Sequence, residues 1–348
     1  MIDEAMIEKY PELFWFSRSI DGLTGVPFPR KGEPGYKPER IVVSLIGVRA
    51  PTRTDLAGEE ALEYMKAFWQ KELDQVLPNE PDLIVIPEAS DRFPQLPPDQ
   101  LRQWYTYRGD KMRDFFAGIA REHHCYIAYA AARLLDDGTC RNSIQLLDRQ
   151  GEVCAVYNKN HCVPTEKSRM NILCGKDAPV FETDFGRVAM AICFDLNFHE
   201  LLEKYAVQRP DLIIFSSLYH GGIMQQYWAY HCRSHLVAAF PDQCTVVNPV
   251  GEYVARTTNY SKNLTTAINL DNVVVHLDGN YHKFSALKQK YGRGVIVQDP
   301  GFLGAVLVTS EVPGVSALEM VREFDMEIWD EYYERCMAHR HNPENMEK

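Results

Sequence analysis

The chain has 348 residues, 45% hydrophobic and 24% charged, which is the composition of a globular protein rather than of a disordered or fibrous one. Its 37 basic residues stand against 48 acidic ones, and the net charge of −11 makes nucleic acid and anionic membrane surfaces poor partners. A membrane-spanning helix needs a run of about 18 apolar residues, and the sequence has none.

The start of the chain and its cysteines bear on location. Asp3, Glu4 and Glu8 stand where a secretion signal has basic residues followed by an apolar run. The nine cysteines are an odd number and include no CxxC pair, so we expect free thiols. These features predict a cytoplasmic protein.

The first elements are those of an α/β protein. Residues 1–40 are rich in Pro, Gly and charge and are interpreted as an arm over the surface. A strand over 41–48 is followed by apolar residues at helical spacing over 59–76. The next apolar run starts at Asp82, has the length of a strand covered on both faces, and ends at Pro87 and Glu88.

The same alternation continues towards the carboxyl end. A helix is predicted over 98–122 and another after the buried strand 187–193, and the further predicted strands are 125–132, 143–148, 153–158, 211–217, 245–251, 252–257 and 264–269. We predict a domain over 41–280 and an extension over 281–348 that packs on the same domain or on a partner subunit. The extension ends in an aromatic helix over 317–340.

Three reactive side chains each stand where a predicted strand ends: Glu88, Lys159 and Cys193. Strand ends are where α/β proteins collect functional groups, because the sheet fixes the positions of the loops. Glu88 could accept the thiol proton of Cys193, and Lys159 could stabilise negative charge on the sulfur and on a carbonyl oxygen. Taken singly, each residue also fits a non-catalytic role: Cys193 as a buried thiol, Glu88 as a surface carboxylate and Lys159 as a solvated lysine.

The sequence segments around these residues resemble those of the nitrilase superfamily of carbon–nitrogen hydrolases over roughly residues 41–270. Glu88 matches the glutamate of the family's Glu–Lys–Cys triad, Lys159 the lysine two residues before a histidine, and Cys193 the cysteine of the C-x-D motif. The resemblance implies that Glu166 orients the lysine. It also implies a four-layer α-β-β-α sandwich and a homodimer or higher homo-oligomer.

The resemblance implies a cysteine-dependent hydrolase that needs no metal or other cofactor. The thiolate of Cys193 would attack a carbonyl and form a thioester, and Lys159 and the backbone N–H of Phe194 would hold the oxyanion. Phe194 and Asp195 follow the cysteine as in the amidase branches, so a small amide is the favoured substrate. The segment after Cys193 supplies no arginine for a substrate carboxylate, although Arg233 could replace it.

Other possibilities stay open. Tyr219, His220 and Trp228 follow a strand where the resemblance places the rim of the pocket, and plain packing explains them about as well. The same triad would also serve a nitrilase, an N-carbamoyl amidohydrolase or an acyltransferase, and a scaffold without activity could retain the fold. His123 and His124 are adjacent and point in different directions, which disfavours a metal site.

Overall fold

The computed structural model describes residues 37–347, so all but the last four residues of the predicted arm lie outside the described residues. The strands of this part are β1 (Arg40–Ile46), β2 (Leu83–Val85), β3 (Tyr126–Leu134), β4 (Cys140–Leu147), β5 (Val153–Asn158), β6 (Phe181–Glu182), β7 (Arg187–Ile192), β8 (Leu212–Ser216), β9 (His235–Ala239), β10 (Thr245–Val247), β11 (Tyr253–Arg256), β12 (Asn263–Asn269), β13 (Asn272–His276), β14 (Val295–Gln298) and β15 (Ala305–Ser310). The α-helices are α1 (Gly58–Leu73), α2 (Pro98–Arg108), α3 (Lys111–Glu122), α4 (Pro164–Met170), α5 (His199–Gln208), α6 (Met224–Cys232), α7 (Phe284–Tyr291), α8 (Ala317–Glu323) and α9 (Trp329–His341).

Two six-stranded sheets form the centre of the molecule. The first has the order β12-β1-β2-β3-β4-β5 and the second the order β11-β10-β9-β8-β7-β6. Strands β1, β2 and β3 run parallel to one another, as do β7, β8 and β9. Parallel strands need helical crossovers, which explains why helices follow β1, β2, β7 and β8 along the chain.

Strand β3 shows how the layers form. Tyr126, Ala128 and Ala130 belong to the hydrophobic cluster between the two sheets, whereas Ile127 and Tyr129 belong to the cluster beneath helices α1–α3. Alternate residues of a strand point to opposite faces, so both faces of the first sheet are buried. The second sheet packs against α5 and α6 through the cluster that it shares with the first. The resulting order of layers confirms the predicted α-β-β-α sandwich.

The single helix predicted over 98–122 is wrong, because two helices occupy this segment. Helix α2 ends at Arg108 and α3 begins at Lys111. Gly109 lies between them with a φ of +49°, in the left-handed region that glycine enters without steric cost. The turn allows both helices to pack their apolar faces on the first sheet.

A third sheet lies near the carboxyl end, with the order β13-β15-β14. It has its own hydrophobic cluster, to which Val275, Leu287, Val306 and Met320 belong. Because β13 begins at Asn272, the sheet takes strands from both sides of residue 280. The division of the chain at that residue stays a prediction.

Helix α9 contacts the rest of the chain mainly through rings and charges. The ring of Tyr332 stacks on His276 at 3.6 Å, and Asp330 pairs with Arg233 at 2.7 Å beyond the end of α6. Glu334 pairs with Arg209 at 2.8 Å, just after α5. Over residues 37–347, we find no helix with the length and apolarity that crossing a bilayer requires.

Candidate active site

The ends of three strands bring Glu88, Lys159 and Cys193 together. Lys159 directly follows β5 and Cys193 directly follows β7, so the two sheets supply opposite sides of the site. Lys159 Nζ lies 3.0 Å from Glu88 Oε1, and burial and the charge of the same carboxylate raise the pKa of the Cys193 thiol. Glu166, on helix α4, approaches the same ammonium with Oε2 at 2.9 Å. The four charged or reactive groups predicted from the sequence thus lie together in one site.

Lys159 is almost completely buried, with 2% of its surface exposed. Burial alone would lower the pKa of its ammonium, but the negative charges nearby outweigh burial and raise that pKa above its ordinary value. Glu88 makes the largest of these contributions. Lys159 therefore carries a fixed positive charge beside the sulfur of Cys193.

Cys193 opens a tight 3₁₀ turn over Cys193–Asn197 and has a φ of +50°, a left-handed conformation that costs a residue with a side chain about 1–2 kcal/mol. Its side chain is partly exposed. Burial and the charge of Glu88 raise the pKa of the thiol to about 12, although Lys159 opposes them. The resting sulfur is therefore a thiol rather than a preformed thiolate.

No pattern in the sequence selects Asn142, which lies on β4 beside the site. Its amide nitrogen donates to Glu88 Oε1 at 2.7 Å and to Glu166 Oε1 at 2.8 Å. The side chain is buried, with 6% exposed. Asn142 and Lys159 thus bridge the same pair of carboxylates, a relation that depends on the pairing of strands and leaves no local signal in the sequence.

A second carboxylate network lies directly behind the nucleophile turn. Asp195 is fully buried and accepts hydrogen bonds from the hydroxyl of Tyr157 at 2.7 Å and the N–H of Ile192 at 3.0 Å. Its other oxygen faces the backbone N–H and the ring Nδ1 of His161, at 2.8 and 3.0 Å. His161 Nε2 in turn lies 2.7 Å from Glu200. This network ties the loop after β5 to the end of β7.

The three predicted substrate contacts lie in different settings. Tyr219 is partly buried, and its hydroxyl accepts a hydrogen bond from Asn197 at 3.0 Å, next to the nucleophile turn. His220 is exposed, and its Nδ1 accepts the N–H of Gly222. Trp228 is fully buried and donates its indole N–H to the carbonyl of Leu196 at 2.9 Å. Trp228 therefore supports the turn from below and has no surface to offer a substrate.

Phe194 is 38% exposed, and its ring packs edge-on against Phe198, which stacks on His161 at 3.8 Å. The role of its backbone N–H as an oxyanion donor stays a prediction. Among residues 37–347, no three His, Cys, Asp or Glu side chains lie together as metal ligands would.

Known proteins resemble this chain over parts of its length. Residues 58–274 match the family model described as "Carbon-nitrogen hydrolase". The "Hydrolase in agr operon" of Staphylococcus lugdunensis is 23% identical over 211 residues, which cover 55% of this chain and 89% of that protein. The omega-amidase NIT2 of Homo sapiens is 25% identical over 163 residues, 40% of this chain and 59% of that enzyme, so the match spans less than two thirds of the enzyme's length.

The fold has close counterparts among solved structures. An amidase from Nesterenkonia sp. superposes with a TM-score of 0.57 at 18% identity, covering 67% of this chain and 92% of that one. At such low identity the likeness establishes the fold. Together with the family match over more than half of the chain, it confirms the resemblance: the protein belongs to the carbon–nitrogen hydrolase family of the nitrilase superfamily.

Proposed function

We propose that this protein hydrolyses a small non-peptide amide through a thioester on Cys193, releasing a carboxylic acid and ammonia or an amine. One arrangement supports the proposal: the ammonium of Lys159 holds the Glu88 carboxylate at 3.0 Å, and burial and the charge of this carboxylate raise the pKa of the partly exposed Cys193 thiol. A nucleophile, a base and a positive charge in this arrangement could act together on one carbonyl group.

In the first step, Cys193 Sγ bonds to the carbonyl carbon while its proton passes to Glu88. The raised pKa of the thiol requires these events to be coupled, because a free thiolate is scarce at neutral pH. Negative charge then develops on the carbonyl oxygen, where Lys159 and the N–H of Phe194 stabilise it.

In the second step, Glu88 returns the proton to the nitrogen as the carbon–nitrogen bond breaks, leaving a thioester on Cys193. Glu88 then takes a proton from water, whose oxygen attacks the thioester carbon. The carbon–sulfur bond breaks, the acid leaves, and Cys193 regains its proton. One carboxylate thereby acts as base and as acid in both halves of the reaction.

The charges around the turn favour an uncharged acyl group. The turn after Cys193 carries no basic residue. Arg233, the alternative partner for a substrate carboxylate, is engaged by Asp330 at 2.7 Å. Asn197, the last residue of the turn, donates a hydrogen bond to the hydroxyl of Tyr219, and both side chains suit hydrogen bonds with a neutral substrate. The named relative omega-amidase NIT2 supports amides over nitriles as the class.

The test is ammonia release from a panel of small amides, N-carbamoyl compounds and nitriles by the wild-type protein and by Cys193→Ala. We expect turnover of at least one amide and a loss of about 10⁴-fold or more in the variant, because the nucleophile is gone. Cys154→Ala removes an exposed thiol on β5 and is the matched control, with activity unchanged.

Full activity in Cys193→Ala would contradict the proposal. Turnover of nitriles alone, or acyl transfer to an added amine without hydrolysis, would place the protein in another branch that uses the same triad. Mass spectrometry of wild-type protein mixed with substrate should show an acyl adduct on Cys193, and an unmodified protein would favour a scaffold without activity. The homo-oligomeric state and the cytoplasmic location stay predictions.

A further inference from the structure

We propose that Asn142 is a positioning residue that assigns the two oxygens of Glu88 to different tasks. Oε1 is held as an anchor, and Oε2 is kept free to exchange a proton with Cys193. This inference rests on the proposed function of Glu88 as the base.

The observation behind it is a closed ring of hydrogen bonds. Lys159 Nζ contacts Glu88 Oε1 at 3.0 Å and Glu166 Oε2 at 2.9 Å. Asn142 Nδ2 contacts Glu88 Oε1 at 2.7 Å and Glu166 Oε1 at 2.8 Å. Each glutamate is therefore held from two sides, once by a cation and once by a neutral amide.

Lys159 and Asn142, the donors of the ring, both contact Oε1 of Glu88. The other oxygen, Oε2, accepts the backbone N–H of Leu218 at 3.2 Å. Besides burial, the charge of Glu88 raises the pKa of the Cys193 thiol, and the N–H of Leu218 lowers it. With both strong donors on Oε1, the proton of Cys193 passes to Oε2.

The orientation of the amide follows from the charges that surround it. With the amide reversed, its oxygen would face two carboxylate oxygens at less than 3 Å, which is repulsive. In the observed orientation, Asn142 Oδ1 is buried and has no partner among residues 37–347. Leaving a buried acceptor unpaired is unfavourable, so the side chain is placed for the hydrogen bonds that its nitrogen donates.

Strand pairing fixes Asn142 in this place. The carbonyl of Asn142 accepts the backbone N–H of Lys159 at 2.8 Å, one residue beyond the pair Ser143 and Asn158 in the β4–β5 register. The backbones of Asn142 and Lys159 are thus joined, and their side chains meet again on the two glutamates.

The test measures the reactivity of Cys193 towards iodoacetamide as a function of pH, read at this cysteine by peptide mass spectrometry. In the wild-type protein we expect the rate to fall towards acid pH, because the thiol must lose its proton before it reacts. In Asn142→Ala the Glu88 carboxylate loses a donor that holds Oε1, so the profile should differ from that of the wild type and the neutral rate should fall about tenfold. The aspartate of Asn142→Asp has nearly the same shape as asparagine but adds a negative charge, so the pH profile of this variant should differ further from that of the wild type.

Ser143→Ala is the matched control, because Ser143 is the next residue of β4 and donates to Asn158 instead of to the ring, at 2.7 Å. Its profile should coincide with that of the wild-type protein. On an amide substrate, Asn142→Ala should lower kcat about tenfold and leave KM within twofold. If Asn142 only filled space in the core, its substitution would lower the melting temperature and leave the pH profile of alkylation unchanged.

Coincident profiles for the wild type and both Asn142 variants would overturn the proposal. If Asn142→Ala does not fold, Asn142→Asp decides the question, because it preserves the volume. The alkylation readout needs no substrate, so it stands even if no amide in the panel is turned over. A wild-type rate without a fall on the acid side would remove Glu88 as the base, and this role of Asn142 with it.

Discussion

Two carboxylate clusters lie side by side in this molecule and differ in what surrounds them. The reactive cluster consists of Glu88, Asn142, Lys159, Glu166 and Cys193, and the Asp195 network consists of Tyr157, His161, Asp195 and Glu200. Both lie where the loop after β5 meets the end of β7, and each centres on a carboxylate with 5% or less of its surface exposed.

The difference is in the donors that each carboxylate receives. A carboxylate has about four acceptor positions, and four donors fill those of Asp195. One of them is Tyr157, whose pKa burial and Asp195 raise well above its ordinary value, so the hydroxyl keeps its proton. Glu88 instead acts on a thiol, whose pKa burial and the charge of Glu88 raise and which gives up its proton during the proposed reaction.

The comparison suggests a physical distinction between two buried acids. A carboxylate whose donors all retain their protons holds segments of the chain together. A carboxylate that acts on a nucleophile can take part in catalysis. Variants in the reactive cluster should therefore lower turnover with little change in stability. Variants in the Asp195 network should do the reverse.

The largest effect is expected from Glu88→Gln. Without the base, amide turnover should fall by about 10²–10⁴-fold. The melting temperature should change little, because Lys159 retains Glu166 as a counter-ion at 2.9 Å. The variant also removes the charge and the hydrogen bond through which Glu88 raises the pKa of the thiol, so that pKa should fall below about 12.

Alkylation of Cys193 in this variant should be slow at neutral pH and rise as the pH approaches the lowered pKa of the thiol. Peptide mass spectrometry over a range of pH measures this directly. An alkylation profile identical to that of the wild-type protein would mean that Glu88 does not act on the thiol, and retained turnover would remove its role as base.

Much of the reactive cluster could be predicted because strand ends are visible in a sequence. The apolar runs before Glu88 and Cys193 are long enough to mark buried strands, and α/β proteins collect functional groups at strand ends. Lys159 follows β5 in the same way. The α/β class follows from the same runs, whereas the four-layer arrangement came from the family resemblance.

The remaining parts depend on contacts that no local pattern encodes. Asn142 acts through the register of β4 with β5 and through two glutamates from other segments. Trp228 is predicted to line the pocket because it follows a strand. In the structure its indole N–H donates to the carbonyl of Leu196, and its ring packs in the hydrophobic core. The break between α2 and α3 depends on the positive φ of Gly109, and the residues on either side do not predict that φ.

The second prediction concerns Asp195→Asn. The amide would place an N–H₂ group against two of the four donors that the carboxylate now accepts, and we expect a loss of about 3 kcal/mol in the free energy of unfolding. Denaturant unfolding measures this loss. Turnover at a temperature where the variant is folded should fall less than in Glu88→Gln, because the network touches no reacting atom.

Asp137→Asn is the control for this measurement, since Asp137 is exposed and accepts hydrogen bonds from Thr139 in a turn. Its unfolding should stay close to that of the wild-type protein. If Asp195→Asn were as stable as the control but inactive, the distinction between the two clusters would fail.

The smallest effect is expected at the edge of the Asp195 network, in Glu200→Gln. Burial alone would lower the pKa of His161, but its hydrogen bonds to Asp195 and Glu200 raise that pKa above 6.5. A raised pKa in the folded state means that the stabilisation is complete below pH 6.5 and is lost as the pH rises through the folded value. The variant should therefore melt at a lower temperature than the wild type at pH 5.5, and at the same temperature once the pH exceeds the folded pKa.

The side chain of Glu200 is largely exposed, so its difference in melting temperature should be well below that of Asp195→Asn. Glu182→Gln is the matched control, because Glu182 is also exposed and pairs at 3.2 Å with Arg187, whose charge does not titrate in this range. Any loss in that control should be equal at pH 5.5 and 8.5. A Glu200→Gln difference that is likewise independent of pH would show that His161 does not titrate within the network, and that the loop after β5 is held by Asp195 alone.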